Sequence, residues 1–298
     1  MDAEGPANLS GYERRAFKAA GLSCPLFVSR AGREPVIVLH ELPSITPQVA
    51  HLAEVLGRAG FRIYMPSFLG RPGAVPNLLD QAASLAQACV RSEILALKKG
   101  DHTRRAVAGL RVMAAQASAE AGGAKVGVLG LCLTGGFALA TALEPTVAAA
   151  VASEPSLPLK SPADIDLSPA DQATLKARIR EGDLRAILLR FQDDAISPCE
   201  RLRRYGDVLE GGVASRCLPK SAANPAYRGR VRYHCVLTNE LIEEAGSDTV
   251  AVRNEVISFF DWRLRGGPAP APTHDLPDCL LHGCVRRLPG GPKARPTT

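Results

Sequence analysis

Continuous apolar runs alternate along this chain with longer stretches in which apolar residues recur every three or four positions. The runs are typical of parallel strands buried on both faces, and the wider spacing is typical of helices that pack on one side. We predict strands at 22–29, 36–40, 61–65, 126–129, 147–152, 184–191 and 231–234. We predict helices at 46–60, 78–99, 103–121, 135–143, 168–181, 198–209 and 249–264. This alternation predicts an α/β fold with a doubly wound, mostly parallel sheet and helices on both faces.

The ends of the chain differ in composition from its middle. Residues 1–20 are mostly polar and are predicted to form a lead-in, and residues 21–265 are predicted to form a single domain. Residues 266–298 are basic and rich in proline and glycine, beginning with Gly-Gly-Pro-Ala-Pro-Ala-Pro. Such a composition buries too little apolar surface to fold, so this tail is predicted to be disordered.

Composition and charge exclude several classes of function. The chain has 298 residues, is 46% hydrophobic and carries a net charge of +6, part of which lies in the tail. Without a basic stripe interleaved with aromatic residues, nucleic-acid binding is not expected. No apolar run approaches the ~20 residues of a membrane span, and the first residues lack the apolar core of a signal peptide. We therefore expect a cytoplasmic protein that binds neither nucleic acid nor membrane.

The eight cysteines are scattered and contain no C-x-x-C pair, so we expect reduced thiols and no metal site. Cys279, His282 and Cys284 form a small cluster in the tail. Because its flanks are rich in proline and glycine, this cluster is a weak candidate for binding metal.

One cysteine lies within a frame of glycines. Cys132 follows the apolar run at 126–129, with Gly130 before it and Gly135 and Gly136 after it. A sharp strand–turn–helix transition needs small neighbours, because a nearby Cβ would clash. The pattern predicts a nucleophile elbow that carries a thiol. These glycines do not fit the G-x-G-x-x-G dinucleotide spacing, and no Gly-Lys-Ser/Thr follows, which argues against a nucleotide loop.

Polar residues follow three other predicted strands, at the sheet edge where open α/β folds place their sites. They are His40, Glu41, Asp193, Asp194 and His234. A thiol needs a base to ionise near neutral pH, and the base needs a carboxylate to fix its tautomer. Taken singly, a buried cysteine or an aspartate in a turn is more often structural. Together they follow the order nucleophile, acid, histidine of α/β-hydrolases.

With these residues in place, the chain resembles the dienelactone hydrolase family of α/β-hydrolases over roughly residues 25–264. The resemblance lies in 38–43 with 60–70, in 130–136, in 191–198 and in 234–238. A cysteine nucleophile is rare among α/β-hydrolases and typical of this family. The resemblance implies an α/β-hydrolase fold without cofactor or metal.

The resemblance also implies roles for individual residues. Cys132 would be the nucleophile, His234 the base and Asp194 the acid. Asp194 is preferred to Asp193 because Pro198, four residues later, matches the spacing of the family. Glu41 would influence when the thiol ionises. The backbone N–H groups of Leu42 and Leu133 would form the oxyanion hole.

Two positions depart from the pattern of the family. Thr134 stands two residues after the nucleophile, where the family has glycine. Thr238 stands four residues after the histidine, where the family has an arginine that holds the substrate carboxylate. Arg71, in the loop after the third predicted strand, is a candidate replacement for that arginine. The chemistry of the family therefore carries over better than its substrate.

These observations predict a hydrolase of small-molecule esters or lactones that acts through a thioester acyl-enzyme and resembles carboxymethylenebutenolidases. One alternative is a non-catalytic, ligand-binding or regulatory relative of the same fold. Another is a redox-sensing thiol at Cys132, with Cys235 as its partner. The sequence leaves open whether the protein is a monomer or a dimer.

Overall fold

A computed structural model describes residues 6–75, 105–156, 161–165, 167–210, 212–229 and 231–270. Its centre is an eight-stranded sheet in the order β1-β2-β4-β3-β5-β6-β7-β8. Strands β3 to β8 are parallel, while β1 and β2 join the edge in antiparallel fashion. The strands are β1 Tyr12–Ala19, β2 Leu22–Ser29, β3 Pro35–Leu39, β4 Arg62–Pro66, β5 Val126–Leu131, β6 Val147–Ser153, β7 Arg185–Phe191 and β8 Val213–Leu218.

Helices cover both faces of the sheet, as predicted. They are α1 Pro47–Arg58, α2 Arg105–Glu120, α3 Gly135–Thr141, α4 Pro169–Arg180, α5 Cys199–Leu209 and α6 Asp248–Arg265. Buried residues of α2, α3, α4 and α5 pack into one apolar cluster, and those of α1 and α6 pack into a second cluster on the opposite face. The predicted doubly wound, mostly parallel fold is therefore confirmed.

Side-chain caps explain where several helices begin. Thr46, Ser168 and Ser247 each accept a hydrogen bond from a backbone N–H of the first turn. Such caps satisfy N–H groups that have no partner inside the helix. No helix within the described ranges is both long and apolar enough to cross a membrane.

Residues 1–20, for which the sequence predicted only a polar lead-in, contribute strand β1. This strand lies at the sheet edge and pairs only with β2. Most of its side chains are partly or fully exposed, and Phe17 is its one buried residue. Charged residues are common in edge strands because they discourage pairing with other chains. Because of these charged residues, the segment contains no continuous apolar run, and the sequence did not predict a strand there.

The prediction of a last strand at 231–234 was wrong. This segment is irregular, and the last strand within the described residues is β8, which the sequence did not predict. Ser215 and Arg216 interrupt the apolar character of β8, yet both are buried. Arg216 is tolerated there because its guanidinium pairs with Glu255 of α6 at 2.6 Å. The predicted helix at 78–99, the predicted tail beyond residue 270 and the cluster at 279–284 lie outside the described residues.

Candidate active site

The turn after β5 has the geometry of a nucleophile elbow. Cys132 adopts a φ of 54°, a conformation that side chains other than glycine rarely adopt. A short 3-10 turn at Cys132–Thr134 leads directly into α3. Gly130 is required here, because a Cβ at this position would lie 2.2 Å from the carbonyl oxygen of Thr134. The turn thus holds the thiol at the carboxyl end of the central strand.

Thr134 has a structural function at the position where the family has glycine. Its hydroxyl accepts a hydrogen bond from the N–H of Leu131 at 2.9 Å and lies 3.0 Å from the carbonyl oxygen of Leu39. The side chain therefore links the end of β5 to the end of β3. This departure from the pattern strengthens the elbow and leaves the thiol in place.

The structure brings the predicted acid and base together. Nδ1 of His234 lies 2.7 Å from Oδ2 of Asp194, and both side chains are buried. The other oxygen of Asp194 accepts hydrogen bonds from the N–H groups of Ile196 and Ser197 at 3.0 and 2.9 Å. Asp193 instead points outward and pairs with Lys220 at 3.3 Å. Asp194 is thus the aspartate that contacts the histidine.

The remaining ring nitrogen of His234 faces the thiol region. Burial alone would lower the pKa of His234, but negative charge on Cys132 and the bond to Asp194 outweigh it, so the pKa lies well above its ordinary value. Nε2 is buried and has no hydrogen-bond partner among the residues that the structure describes. A histidine that binds a proton readily, next to a cysteine, is the pairing that can activate a thiol.

Ser156, which the sequence analysis missed, contacts the thiol directly. Its Oγ lies 3.1 Å from Sγ of Cys132, and its N–H donates to the carbonyl oxygen of Cys132 at 3.1 Å. The residue follows β6, immediately beside the nucleophile turn. A polar residue that follows an apolar run is the signal that also indicates the other site residues.

The segment that carries His234 is held by one buried carboxylate. Glu240 accepts hydrogen bonds from three consecutive N–H groups, those of Tyr233, His234 and Cys235, at 2.8, 2.6 and 3.2 Å. Nε of Arg232 lies 3.2 Å from the same carboxylate. These bonds bend the chain so that Tyr233 has a φ of 58°. His234 is therefore positioned by a turn around Glu240, and not by a strand.

Glu41 lies in the same cluster of buried groups. Its Oε1 accepts a hydrogen bond from Nδ2 of Asn239 at 3.2 Å. Burial raises the pKa of Glu41, although its contact with Thr238 and the positive charge of His234 act in the opposite direction. The structure thus places Glu41 and Thr238 side by side next to the histidine segment.

His40 orients the loop that carries Leu42. Its Nε2 accepts the N–H of Phe68 at 3.0 Å, so the proton resides on Nδ1, which donates to the carbonyl oxygen of Glu41 at 2.7 Å. Burial lowers the pKa of His40 to about 4. The ring is therefore neutral near pH 7 and acts as a fixed bridge across the loop.

The two residues of the predicted oxyanion hole line a common pocket. The N–H of Leu133 lies in the first turn of the 3-10 segment, where N–H groups have no partner within the helix. The pocket is mainly apolar, with Leu42 and Leu133 joined by Leu22, Phe68, Leu69 and Phe137. Its cavity volume is about 30 Å³, which leaves room for a small group only.

Arg71 lies on the exposed loop after β4. Its backbone carbonyl oxygen accepts a hydrogen bond from the hydroxyl of Ser44 at 3.1 Å. The role of its guanidinium in binding substrate stays a prediction. No group of three or more potential metal ligands occurs within the described part of the chain.

Comparison with known proteins gives the class of this fold and site. The model of the dienelactone hydrolase family matches residues 26–182, just over half of the chain. The protein therefore belongs to the dienelactone hydrolase family of α/β-hydrolases. This membership makes it a hydrolase of the ester and lactone class. No curated protein sequence is similar enough to match the chain.

Solved structures share the fold at low identity. A dienelactone hydrolase from Anabaena variabilis ATCC 29413 is 18% identical, with a TM-score of 0.50 over 86% of this chain and 100% of the other. A dienelactone hydrolase-like promiscuous phosphotriesterase from metagenomic libraries is 16% identical, with a TM-score of 0.54 over 82% and 96%. An α/β serine hydrolase without lid from Xanthomonas campestris is 13% identical, with a TM-score of 0.51 over 88% and 100%.

Proposed function

We propose that this protein hydrolyses small ester or lactone substrates with a Cys132–His234–Asp194 triad through a thioester acyl-enzyme. The observation that carries this proposal is the 2.7 Å bond between His234 and Asp194 beside a cysteine in a strained turn. Cys132, Asp194 and His234 follow β5, β7 and β8, and these strands end at one edge of the sheet.

In the acylation step, His234 takes the proton of the Cys132 thiol on Nε2. The thiolate attacks the substrate carbonyl carbon and forms a tetrahedral intermediate with a negative oxygen. The N–H groups of Leu42 and Leu133 stabilise that oxygen. The intermediate collapses when its C–O bond breaks, and His234 returns the proton to the leaving alkoxide. Asp194 keeps His234 in the tautomer that this transfer needs.

In the deacylation step, His234 acts as a base towards water. The resulting hydroxide attacks the thioester, and the second tetrahedral intermediate expels the Cys132 thiolate, which regains its proton. A carboxylic acid leaves. With a lactone as substrate, acid and alcohol are parts of one hydroxy acid.

The apolar pocket favours a short, uncharged acyl group. It is lined by Leu42 and Leu133, and its cavity of about 30 Å³ leaves room for a small group only. Thr238 offers no positive charge to a substrate carboxylate. We therefore expect acetyl esters to be cleaved faster than hexanoyl esters, and Leu69→Ala to reduce that preference.

The two alternatives are less well supported. A non-catalytic protein would be favoured if Thr134, where the family has glycine, blocked the elbow. The hydroxyl of Thr134 instead reinforces the elbow. The redox reading needs Cys235 to ionise readily. Burial, together with the charges of Glu41 and Glu154, raises the pKa of Cys235 well above its ordinary value, which makes it a poor thiolate.

Hydrolysis of p-nitrophenyl acetate and of small lactones by wild type and Cys132→Ala tests the proposal. We expect kcat/KM to fall by about 10³-fold or more in the variant, since the nucleophile is lost. Equal rates for the two proteins would refute it.

A further inference from the structure

Glu154 is a buried carboxyl group to which the proposed mechanism gives no role. It follows β6, is fully buried and has a φ of 38°. Such a left-handed conformation is unfavourable for a non-glycine residue and persists only where the surroundings impose it, often at functional sites. The contacts of Glu154 therefore indicate what imposes this conformation.

Glu154 lies between the nucleophile turn and the histidine segment. Its Oε2 accepts hydrogen bonds from the hydroxyl of Ser153 at 2.5 Å and from the N–H of Val236 at 3.4 Å. Val236 is two residues beyond the histidine. Two residues beyond Glu154, Ser156 contacts the thiol at 3.1 Å. The carboxyl group is thus bonded to the histidine segment, and the chain that follows it leads to the residue that contacts the thiol.

The other oxygen, Oε1, is buried and has no hydrogen-bond partner among the described residues. A buried carboxylate oxygen without a donor is costly, and binding a proton removes that cost. The ionisable groups that act on it are His234, Glu41, Cys132 and Cys235, of which only the histidine becomes positive. Burial raises the pKa of Glu154 well above its ordinary value, despite the opposing effects of His234 and Ser153.

We propose that Glu154 is a further positioning residue for the thiol chemistry, whose carboxyl group takes up and releases a proton inside the site and so makes the reactivity of Cys132 depend on a second ionisation. The proposal rests on the thiol function proposed above. In its protonated form, Glu154 adds no charge beside the thiolate. In its ionised form, it adds a negative charge that disfavours the thiolate.

The consequence is a coupled titration. As the pH rises, proton loss from Glu154 opposes proton loss from the thiol, so reactivity increases over a wider pH range than one ionisation allows. Removing the charge of Glu154 should make this profile steeper and move its rise to lower pH. A purely structural role would leave the shape of the profile unchanged.

The test measures alkylation of Cys132 by iodoacetamide, followed on the Cys132 peptide by mass spectrometry, in wild type, Glu154→Gln and Glu154→Asp. Glutamine keeps the shape and one acceptor but cannot ionise. We expect the ionisations of Glu154 and of the thiol in wild type, and the loss of the first in Glu154→Gln. The rise of that variant should shift by about 0.5–1 pH unit to lower pH, so that its alkylation rate at the wild-type midpoint pH increases about 3- to 10-fold. Glu154→Asp should restore the ionisation lost in Glu154→Gln. Ser153→Ala, which removes a hydrogen bond but no charge, should keep both.

Superimposable profiles for wild type and Glu154→Gln would overturn the proposal. If Glu154→Gln does not fold, a wild-type profile that fits a single ionisation would overturn it equally. These outcomes would not refute the proposed triad, because alkylation measures the reactivity of Cys132 without any substrate. A Cys132 that resists alkylation at every pH, with hydrolysis unaffected by Cys132→Ala, would instead refute the proposed function.

Discussion

The nucleophile turn and the histidine segment are built in different ways, although both present a reactive side chain to the same place. The turn around Cys132 is held by neighbours in sequence, since Gly130 leaves space and Thr134 bonds back to Leu131. The segment around His234 has no regular structure and is held by the buried carboxylate of Glu240. The first half thus depends on local backbone geometry, and the second depends on a few polar contacts.

The largest expected effect is on kcat, and it concerns the residues that contact His234. Asp194→Asn should lower kcat for ester hydrolysis by about 10²–10⁴-fold, because the amide no longer fixes the tautomer of His234 or stabilises its positive form. Asp193→Asn is the matched control, since Asp193 is exposed and pairs only with Lys220 among the described contacts. Its kcat should stay within about twofold of wild type. If both variants had the same activity, Asp194 would not be the acid.

In the turn around Cys132, we expect an effect of comparable size on the free energy of unfolding. Gly130→Ala places a Cβ 2.2 Å from the carbonyl oxygen of Thr134, and this backbone cannot move without opening the turn. We expect the free energy of unfolding to fall by about 3 kcal/mol or more, measured with urea. Gly11→Ala, where an added Cβ meets no atom within 4 Å, is the control and should be nearly neutral. Equal stability of the two variants would show that the turn is less tight than described.

The next effect is a pH dependence of the unfolding free energy that arises at His40, in the loop that carries Leu42. The pKa of His40 falls from an ordinary value of 6.5 to about 4 on folding. The unfolded chain therefore binds the proton more tightly, so the contribution is fully present above about pH 6.5 and is lost as the pH falls towards 4. It amounts to about 3 kcal/mol. Urea unfolding at several pH values should show that the unfolding free energy falls less steeply with decreasing pH in His40→Gln than in wild type. Equally steep falls in the two proteins would contradict the assignment of this effect to His40.

The smallest expected effect tests the carboxylate that holds the histidine segment. Glu240→Gln puts an amide NH₂ where N–H groups now donate, which should cost about 2 kcal/mol of unfolding free energy and lower kcat. Glu243→Gln provides the control, because that carboxylate is partly exposed and pairs with His51 and Arg253. Its loss should stay below about 1 kcal/mol. A larger loss of unfolding free energy in Glu243→Gln than in Glu240→Gln would show that Glu240 does not organise the site.

The same contrast explains what the sequence could and could not predict. The elbow at Cys132 was predicted because glycines and an apolar run are local signals. The side chain of Glu240 gave no such signal, because a carboxylate that binds three N–H groups of an irregular turn leaves no recurring pattern in the sequence. Ser156 does follow an apolar run, as the other site residues do. His234 was predicted as the partner of Asp194, and the two side chains are in contact, but residues 231–234 are irregular and do not form the predicted strand. Strand β8 was missed because its buried Arg216 is compensated by Glu255 on another element.

The most direct measurement is the mass of the Cys132 peptide after a single turnover of p-nitrophenyl acetate, quenched in acid. The account predicts an acetyl group on Cys132, and more of it in Asp194→Asn if deacylation is slowed more than acylation. Hydrolysis that proceeds without an acyl group on Cys132, or with one on another residue, would contradict the account.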